Sequence, residues 1–393
     1  MEIQAELEIK PSASRIKPQR EEPLRVLEAI RQGSVGGGES HVLGLTSHLD
    51  LLRYSPRVLS FTSGQMVDQL REMDIPVTVI PSTRAFDPRV YTSIKKLLRS
   101  ERIQLVHVHG SRAASNLIFP ARSLGIPVVY TIHGWSFHED QPGWVRRLRI
   151  LTERGITAAT RANICVSEAN QATGRKHIPR FRSEVIPNGI DLEKFDVEGS
   201  YRDIRAELGI PGKDTLVAYI ARITRQKDPL TLIRAFREVC LRSEGITLLV
   251  VGDGDLREQA EQLAASLNLG ARVIFQGFRL DTPDILNASD LYCLPSLWEG
   301  LPIGLIEAMA MGNAAIASRV DGTCEVIRHL ENGWLMPPGN PQELATGILT
   351  LHRNRELRER IQKNALGTVR RHYNILGMTR KVEALYDRVM SRN

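Results

Sequence analysis

The most informative stretch of this chain is Trp298-Glu299-Gly300-Leu301-Pro302-Ile303-Gly304-Leu305-Ile306-Glu307-Ala308-Met309-Ala310. It follows the apolar run Leu291–Leu294, which has the length and composition of a buried strand. Pro302 suits the first turn of a helix, because that position needs no backbone donor. The stretch therefore predicts a strand, a short loop that carries Glu299, and a helix whose N-terminus exposes backbone groups.

The same alternation of apolar strand and charged helix extends on both sides of this stretch. Further strands are predicted at Arg25–Ile30, Val58–Phe61, Val77–Ile80, Leu105–His107, Val128–Ile132, Ala162–Val166, Thr215–Ile220, Thr247–Val251, Val273–Gln276 and Ala314–Ala317. Helical patterns such as Asp87–Arg102 and Arg112–Leu124 fill the gaps. This alternation is typical of doubly wound α/β domains with parallel sheets.

The length of the chain favours two domains, because 393 residues exceed one ordinary hydrophobic core. The turn-forming segment Ile186–Gly189 separates the two series of strands. We predict a disordered basic leader at residues 1–23, Rossmann-like domains at 24–189 and 190–372, and a C-terminal helix at 373–393. That helix is expected to pack back toward the N-terminal domain; the alternative is that it packs on the second domain alone.

Composition excludes several classes of protein. With 42% hydrophobic and 25% charged residues, the chain is neither disordered nor fibrous. No apolar stretch approaches the roughly 20 residues of a membrane span, and the N-terminus lacks the apolar core of a secretory signal. We therefore expect a cytoplasmic protein with four reduced cysteines, which lie too far apart for a close-spaced zinc or redox motif.

The chain carries a net charge of +7, which predicts an anionic partner: a nucleotide, a nucleic acid or a membrane surface. Gly36 and Gly37 belong to a glycine-rich turn, Ser34–His41, where backbone N–H groups could approach a phosphate. Arg222 and Lys227 follow the predicted strand that ends at Ile220 and could hold a diphosphate. The alternatives are a packing turn and a solvated basic loop.

Glu307 lies one to two turns inside the predicted helix, among apolar neighbours. A carboxylate in such surroundings needs hydrogen-bond donors, and the vicinal hydroxyls of a ribose would provide them. The alternative is an exposed helical glutamate.

Three other patterns in the sequence could bind a metal ion or a membrane surface. Asp253-Gly254-Asp255 matches a metal-binding D-x-D pattern, but it fits a strand-end turn better. His107 and His109 alternate along a strand without a third ligand nearby in sequence, so we predict no metal. Trp144–Arg154 is a basic, partly amphipathic helix that could rest on anionic lipid or could simply be solvated.

The spacing of Glu299 and Glu307 resembles the E-x7-E motif of retaining GT-B glycosyltransferases, and the surrounding stretch is similar to family 4 (glycosyl transferases group 1). The resemblance covers about residues 24–390. Its other motifs occur in the family's order, at Gly36–Glu39, Thr131–Gly134, Val166–Glu168, Ile186–Asp191, Arg222 with Lys227, Val251–Gly254 and Val320–Ile327.

The resemblance implies a GT-B fold, with an acceptor domain, a donor domain, a cleft between them and a crossover helix. It implies that Arg222 and Lys227 hold the donor diphosphate and that Glu307 binds the nucleotide ribose. Donor-sugar hydroxyls would meet Glu299 and the backbone after it, at Gly300, Leu301 and Pro302. His133 would face the reacting sugar, and Gly36–Gly38 would approach the phosphate side. Glu299, His133, Arg222 and Lys227 are thus the expected catalytic residues.

The implied reaction is transfer of a hexosyl unit from a nucleotide diphosphate sugar to an acceptor hydroxyl with retention of configuration. A UDP-sugar is the first expected donor and GDP-mannose the second. A glycan or lipid-linked glycan of bacterial surface polysaccharide is the expected acceptor. No metal cofactor and no nucleic acid are expected. Peripheral contact with the inner face of the membrane through Trp144–Arg154 stays one alternative, and a solvated helix is the other. A nucleotide-sugar epimerase and a non-catalytic nucleotide-sugar or nucleic-acid binding protein are the alternatives.

Two departures from the family pattern stand out. Ala221 replaces the glycine that usually precedes the arginine, and this small change should matter little. Asp321-Gly322 replaces a paired glycine, which puts an extra carboxylate near the expected diphosphate and leaves the role of the loop ending at Glu325 open.

Overall fold

The computed structural model describes residues 22–33, 36–138 and 141–391. Most of the predicted leader, residues 1–21, lies outside these ranges, as do Ser34 and Val35 of the glycine-rich turn.

The first half of the chain forms a seven-stranded parallel sheet in the order β3-β2-β1-β4-β5-β6-β7. Its strands are β1 Leu24–Ile30, β2 Tyr54–Ser60, β3 Val77–Val79, β4 Leu105–His109, β5 Val128–Ile132, β6 Ala162–Cys165 and β7 Glu184–Val185. Its helices are α1 Gly37–His48, α2 Gln65–Glu72, α3 Tyr91–Ser100, α4 Ser111–Arg122, α5 Gly143–Ala159 and α6 Glu168–His177. The strand order reverses between β1 and β4, which leaves a crevice at their carboxyl ends.

The second half forms a six-stranded parallel sheet in the order β10-β9-β8-β11-β12-β13. Its strands are β8 Thr215–Ile220, β9 Ile246–Val251, β10 Val273–Gln276, β11 Leu291–Leu294, β12 Ala314–Ser318 and β13 Trp334–Met336. The helices of this half are α7 Ile204–Leu208, α8 Pro229–Arg242, α9 Arg257–Ser266, α10 Thr282–Ala288, α11 Ile303–Ala310, α12 Asp321–Val326, α13 Pro341–Arg353 and α14 Arg355–His372. Here the order reverses between β8 and β11.

The last helix, α15 Ile375–Met390, crosses from the second sheet to the first. Its apolar face, which includes Met378 and Leu385, packs with Val26 of β1 and Leu105 of β4 in one buried cluster. The predicted crossover helix is confirmed. It begins after Asn374, whose side chain accepts a hydrogen bond from the Leu376 backbone N–H at 2.8 Å.

The two crossings between the domains run side by side. The Ile190 backbone N–H donates to the Tyr373 carbonyl at 2.8 Å, and the Ile375 N–H donates to the Ile190 carbonyl at 2.9 Å. These two hydrogen-bonded segments together form the connection between the domains.

The predicted strands all occur, with ends that differ by a few residues. The sequence pattern did not reveal β7 and β13, because these edge strands of two and three residues are too short to show a periodicity. Pro302 lies at the N-cap of α11 rather than in its first turn.

Candidate active site

A cleft of about 990 Å³ lies between the two sheets, and the predicted site residues line it. They are Gly36, Gly37, His133, Arg222, Lys227, Glu299, Gly300, Leu301, Pro302 and Glu307. Those of the second domain follow β8 and β11, the two strands at which its order reverses. The cleft therefore occupies the position at which doubly wound sheets bind ligands.

Lys227 and Glu299 form a direct ion pair inside the cleft. Their side chains are 16% and 5% exposed, so both charges are largely withdrawn from water. Arg222 lies nearby on the same segment and is exposed to the cleft. The site thus offers a diphosphate one guanidinium fork and one ammonium whose position is set by a carboxylate.

Glu307 stands on α11 with its side chain partly open to the cleft. Burial raises the pKa of its carboxyl to about 7, and the charge of Lys194 opposes that rise. Lys194 also lines the cleft, although no motif marked it in the sequence. A carboxylate that is this poorly solvated gains most from hydroxyl donors supplied by a ligand.

Close backbone contacts join the two walls of the cleft. A Cβ atom added to Gly300 would lie 1.9 Å from the carbonyl oxygen of His133, and one added to Gly322 would lie 1.8 Å from the Gly300 oxygen. Asn188 adds a hydrogen bond from its side-chain amide to the Leu301 carbonyl at 3.0 Å. Only glycine at positions 300 and 322 permits these close contacts. They bring the backbone of His133 against the second domain.

Gly36 and Gly37 lie at the N-terminus of α1, which faces the cleft. Glu39 is buried behind these two glycines. Desolvation raises the pKa of its carboxyl, and the positive charge of Arg222 opposes that rise. The N-terminus of α1 and Arg222 therefore approach the cleft from opposite domains, as an anion-binding site requires.

The segment with Asp321 and Glu325, expected as a loop, is helix α12, and it contacts the first domain. Glu325 accepts hydrogen bonds from the backbone N–H groups of Glu168 and Ala169, at 3.0 and 2.7 Å, at the start of α6. Asp321 is exposed and lines the cleft. Helix α12 of the second domain therefore contacts the first domain through Glu325, while the carboxylate of Asp321 faces the cleft.

His133 is part of a buried histidine cluster. Its Nε2 lies 3.1 Å from Nδ1 of His109, whose Nε2 lies 2.8 Å from the Glu28 carboxylate. His41 packs edge-on against His133, with ring centroids 4.8 Å apart. Desolvation by burial lowers the pKa of His133 and of His41 well below the ordinary value, and that of His109 to about 4.

The expectation that His107 and His109 lack further ligands is wrong. Within the described ranges, ligand atoms converge in two groups, one of His41, His109 and His133 and one of Glu28, His107 and His109. Sequence separation hid these neighbours, because they come from β1, α1 and the loop after β5. Neither group includes Asp253, whose carboxylate accepts from the Gly254 N–H at 2.7 Å.

Sequence reasoning also missed cleft residues that no motif contains. They include His138, Asn170, Phe278 and Arg279. His138 and Trp298 come from opposite domains and have ring centroids 4.9 Å apart.

Two family models match most of the chain. The one described as Glycosyltransferase Family 4 matches residues 35–194, and the one described as Glycosyl transferases group 1 matches residues 200–367. The boundary between them falls in the connection that follows Ile190.

Several named proteins are similar over most of their length. The UDP-Gal:alpha-D-GlcNAc-diphosphoundecaprenol alpha-1,3-galactosyltransferase of Escherichia coli is 27% identical over 81% of this chain and 84% of its own. EpsD of Bacillus subtilis is 30% identical over 71% and 76%. The phosphatidyl-myo-inositol mannosyltransferase of Mycobacterium tuberculosis is 28% identical over 86% and 89%.

Solved structures share the architecture. HepE from Anabaena, crystallised with UDP and glucose, superposes with a TM-score of 0.81 at 23% identity over 93% of this chain and 99% of its own. Sucrose-phosphate synthase from Thermosynechococcus elongatus superposes with a TM-score of 0.79 at 21% identity over 94% and 100%. These likenesses identify the two-domain fold.

Proposed function

This chain belongs to glycosyltransferase family 4 and has the GT-B fold, and we propose that it transfers a hexosyl unit from a UDP-sugar to a glycan hydroxyl with retention of configuration. The observation that carries the proposal is the convergence of Arg222, Lys227, Glu299 and Glu307 in one cleft. That set offers cations for a diphosphate and carboxylates for hydroxyls within a single cleft.

The donor would lie along the second domain. Glu307 would accept hydrogen bonds from the ribose hydroxyls, while Arg222 and Lys227 hold the diphosphate. Glu299 and the N-terminus of α11 would meet the sugar. As the bond from the anomeric carbon to the phosphate oxygen breaks, the two cations and the helix N-terminus would stabilise the negative charge that builds on the diphosphate. This stabilisation requires no metal.

In the proposed retaining reaction, the acceptor oxygen bonds to the anomeric carbon on the face that the diphosphate leaves. The acceptor proton would pass to the departing phosphate oxygen, so no separate base is needed. Closure of the domains about the paired segments at Ile190 and Asn374 would exclude water and limit hydrolysis of the donor.

A UDP-sugar is favoured because the name of the Escherichia coli relative specifies UDP-Gal and the Anabaena structure holds UDP. GDP-mannose is the second donor to test, because another relative is named as a mannosyltransferase. Two of the relatives act, by their names, on lipid-linked acceptors, which favours a lipid-linked glycan of surface polysaccharide as the acceptor here.

Helix α5 would bring the enzyme to such an acceptor. Trp144, Leu148 and Leu151 follow one another at helical spacing and are 73%, 58% and 60% exposed. Arg147 and Arg154 flank them and are also exposed. An apolar stripe between cations suits the headgroup region of an anionic leaflet. Among the described residues, no helix is both long and apolar enough to span a bilayer.

The test is a panel of UDP- and GDP-sugars incubated with EDTA and a lipid-linked glycan acceptor, with the anomeric configuration of the product read by NMR. We expect one UDP-sugar to give a product of retained configuration. An inverted product would remove the retaining mechanism. Conversion of the donor without acceptor would favour the epimerase, and binding without any turnover would favour a non-catalytic nucleotide-sugar protein.

A further inference from the structure

A chain of buried polar groups leads from the C-terminal helix to the cleft. Tyr386 of α15 donates its hydroxyl hydrogen to Oε1 of Glu28 at 2.6 Å. Oε2 of Glu28 lies 2.8 Å from Nε2 of His109, and Nδ1 of His109 lies 3.1 Å from Nε2 of His133. We call Glu28, His109 and His133 the relay.

The register of the sheet places these groups together. Glu28 of β1 pairs with His107 of β4, and Ile30 pairs with His109. Side chains two residues apart on a strand share a face, so Glu28, His107 and His109 all point to the same side. That side is covered by α15, and His133 follows directly after β5, the next strand.

Glu28 is ionised within this network. Burial alone would raise the pKa of its carboxyl, but the charge of His107 and the hydrogen bonds from His107 and His109 hold it well below the usual range. An ionised carboxylate accepts hydrogen bonds and donates none. His109 must therefore carry its proton on Nε2, which faces Glu28.

That assignment fixes the other tautomers in turn. Burial lowers the pKa of His109 to about 4, so the ring is neutral at pH 7 and its Nδ1 is a lone-pair acceptor. The Nε2 of His133 faces this lone pair and must be the donor. The proton of the neutral His133 ring is thereby placed on Nε2, and Nδ1 is left as an acceptor.

The structure assigns Glu28 and His109 as positioning residues that hold His133 in its Nε2–H tautomer, so that Nδ1 accepts a hydrogen bond from a sugar hydroxyl in the cleft. The proposal rests on the proposed function for the identity of that hydroxyl. Tyr386 extends the arrangement to α15 by binding the second oxygen of Glu28. Burying a carboxylate is energetically costly, and packing alone gives no reason for one at this position, whereas orienting a histidine of the cleft does.

The direct test is long-range ¹H–¹⁵N NMR of the histidine rings in the unmodified protein at pH 7. We expect the His133 signals of a protonated Nε2 and an unprotonated Nδ1. A protonated Nδ1, or an imidazolium, would overturn the proposal even if the transferase activity is found. If no transferase activity is found, the tautomer measurement still decides this inference.

The second test uses Glu28→Gln and the milder Tyr386→Phe. Loss of one aligned hydrogen bond to the sugar should lower kcat/KM by about 10- to 100-fold in Glu28→Gln, with a smaller loss in Tyr386→Phe. The affinity for UDP alone should stay unchanged in both, because UDP has no donor sugar. Tyr130→Phe is the matched control, since Tyr130 is a buried tyrosine whose hydroxyl donates to Glu153 at 3.0 Å and not to Glu28.

Epistasis separates positioning from general stability. In a His133→Ala background, Glu28→Gln should cause no further loss of kcat/KM, because its effect acts through the missing ring. An equal loss in both backgrounds would overturn the proposal. One bound zinc per chain held by His41, His109 and His133 would also overturn the proposal. A metal would occupy the ring-nitrogen lone pairs that accept the hydrogen bonds proposed here.

Discussion

Lys227 and Glu299 pair directly although 72 residues separate them. They follow β8 and β11, which are adjacent in the second sheet. The ammonium is thereby held where the diphosphate is proposed to bind, and the carboxylate is held where the sugar is proposed to bind. A donor that contacts both groups would share the lysine between its diphosphate and Glu299, while its sugar hydroxyls donate hydrogen bonds to the glutamate.

Lys227→Ala should lower kcat about 100- to 1,000-fold, because it removes a cation that stabilises the departing diphosphate. It also leaves Glu299 buried without its partner, so the melting temperature should fall modestly. Steady-state kinetics and circular dichroism would check both effects. Lys213→Ala, at an exposed lysine, is the control. An unchanged kcat would remove Lys227 from the proposed site.

The affinity for a UDP-sugar should depend on the ionisation of Glu307. Because the pKa of its carboxyl is raised to about 7, the free enzyme loses the acceptor form as pH falls through that value. The Kd should rise about tenfold between pH 8 and pH 6. Calorimetry with a UDP-sugar measures this without a titrating terminal phosphate. Glu307→Gln should bind more weakly at pH 8 and show a flat profile; an equally steep profile in the variant would assign the titration elsewhere.

Acid should destabilise the fold through the buried histidines. The pKa values of His41, His109 and His133 lie below the ordinary 6.5, so the unfolded chain binds more protons. Their contribution is complete above pH 6.5 and is lost as pH falls toward the folded values, about 4 for His109. Each should contribute about 1.4 kcal/mol per pH unit to the slope of unfolding free energy in that window.

Urea unfolding at pH 6.5 to 4.5 would measure this slope. His109→Gln should reduce this slope by about 1.4 kcal/mol per pH unit, the contribution of one proton. His372→Gln, at an exposed histidine, should leave the slope unchanged. Equal slopes in all three proteins would show that other groups govern the acid transition.

Gly300→Ala should impair the approach of the two domains, because its Cβ would lie 1.9 Å from the His133 oxygen. The clash must be relieved by backbone movement that costs about 1–3 kcal/mol. We expect kcat/KM to fall about 10- to 100-fold while each domain stays folded. Gly212→Ala, which meets no atom within 4 Å, is the matched control. Full activity in Gly300→Ala would show that this contact is dispensable.

Binding to vesicles should depend on the exposed stripe of α5. Trp144→Ser with Leu148→Ser should abolish flotation with phosphatidylglycerol vesicles, and wild-type flotation should weaken in high salt because the arginines contribute electrostatically. Leu241→Ser, at a leucine of α8 that is 64% exposed, is the control. Retained flotation of the α5 double variant would place the membrane contact on another surface.

The sequence alone determined the fold class and singled out residues that the structure places in the cleft. Strand and helix leave different periodicities in hydrophobicity, so Val128–Ile132 and Thr215–Ile220 were predicted to the residue. The sequence also predicted the candidate site residues Arg222, Lys227, Glu299 and Glu307. Each of them lies in the loop after a predicted strand or on the helix that follows it.

Only the tertiary structure decided which of these groups touch. The pairing of Lys227 with Glu299 and the stacking of Gly300 on His133 depend on strand order, which local periodicity does not encode. The network of Glu28, His109, His133 and Tyr386 depends on it further, because Glu28 and Tyr386 are 358 residues apart. Glu28 and Tyr386 in particular are unremarkable among their sequence neighbours. Their chemistry arises because folding places them in one desolvated space, where a single carboxylate sets the protonation of the rings beside it.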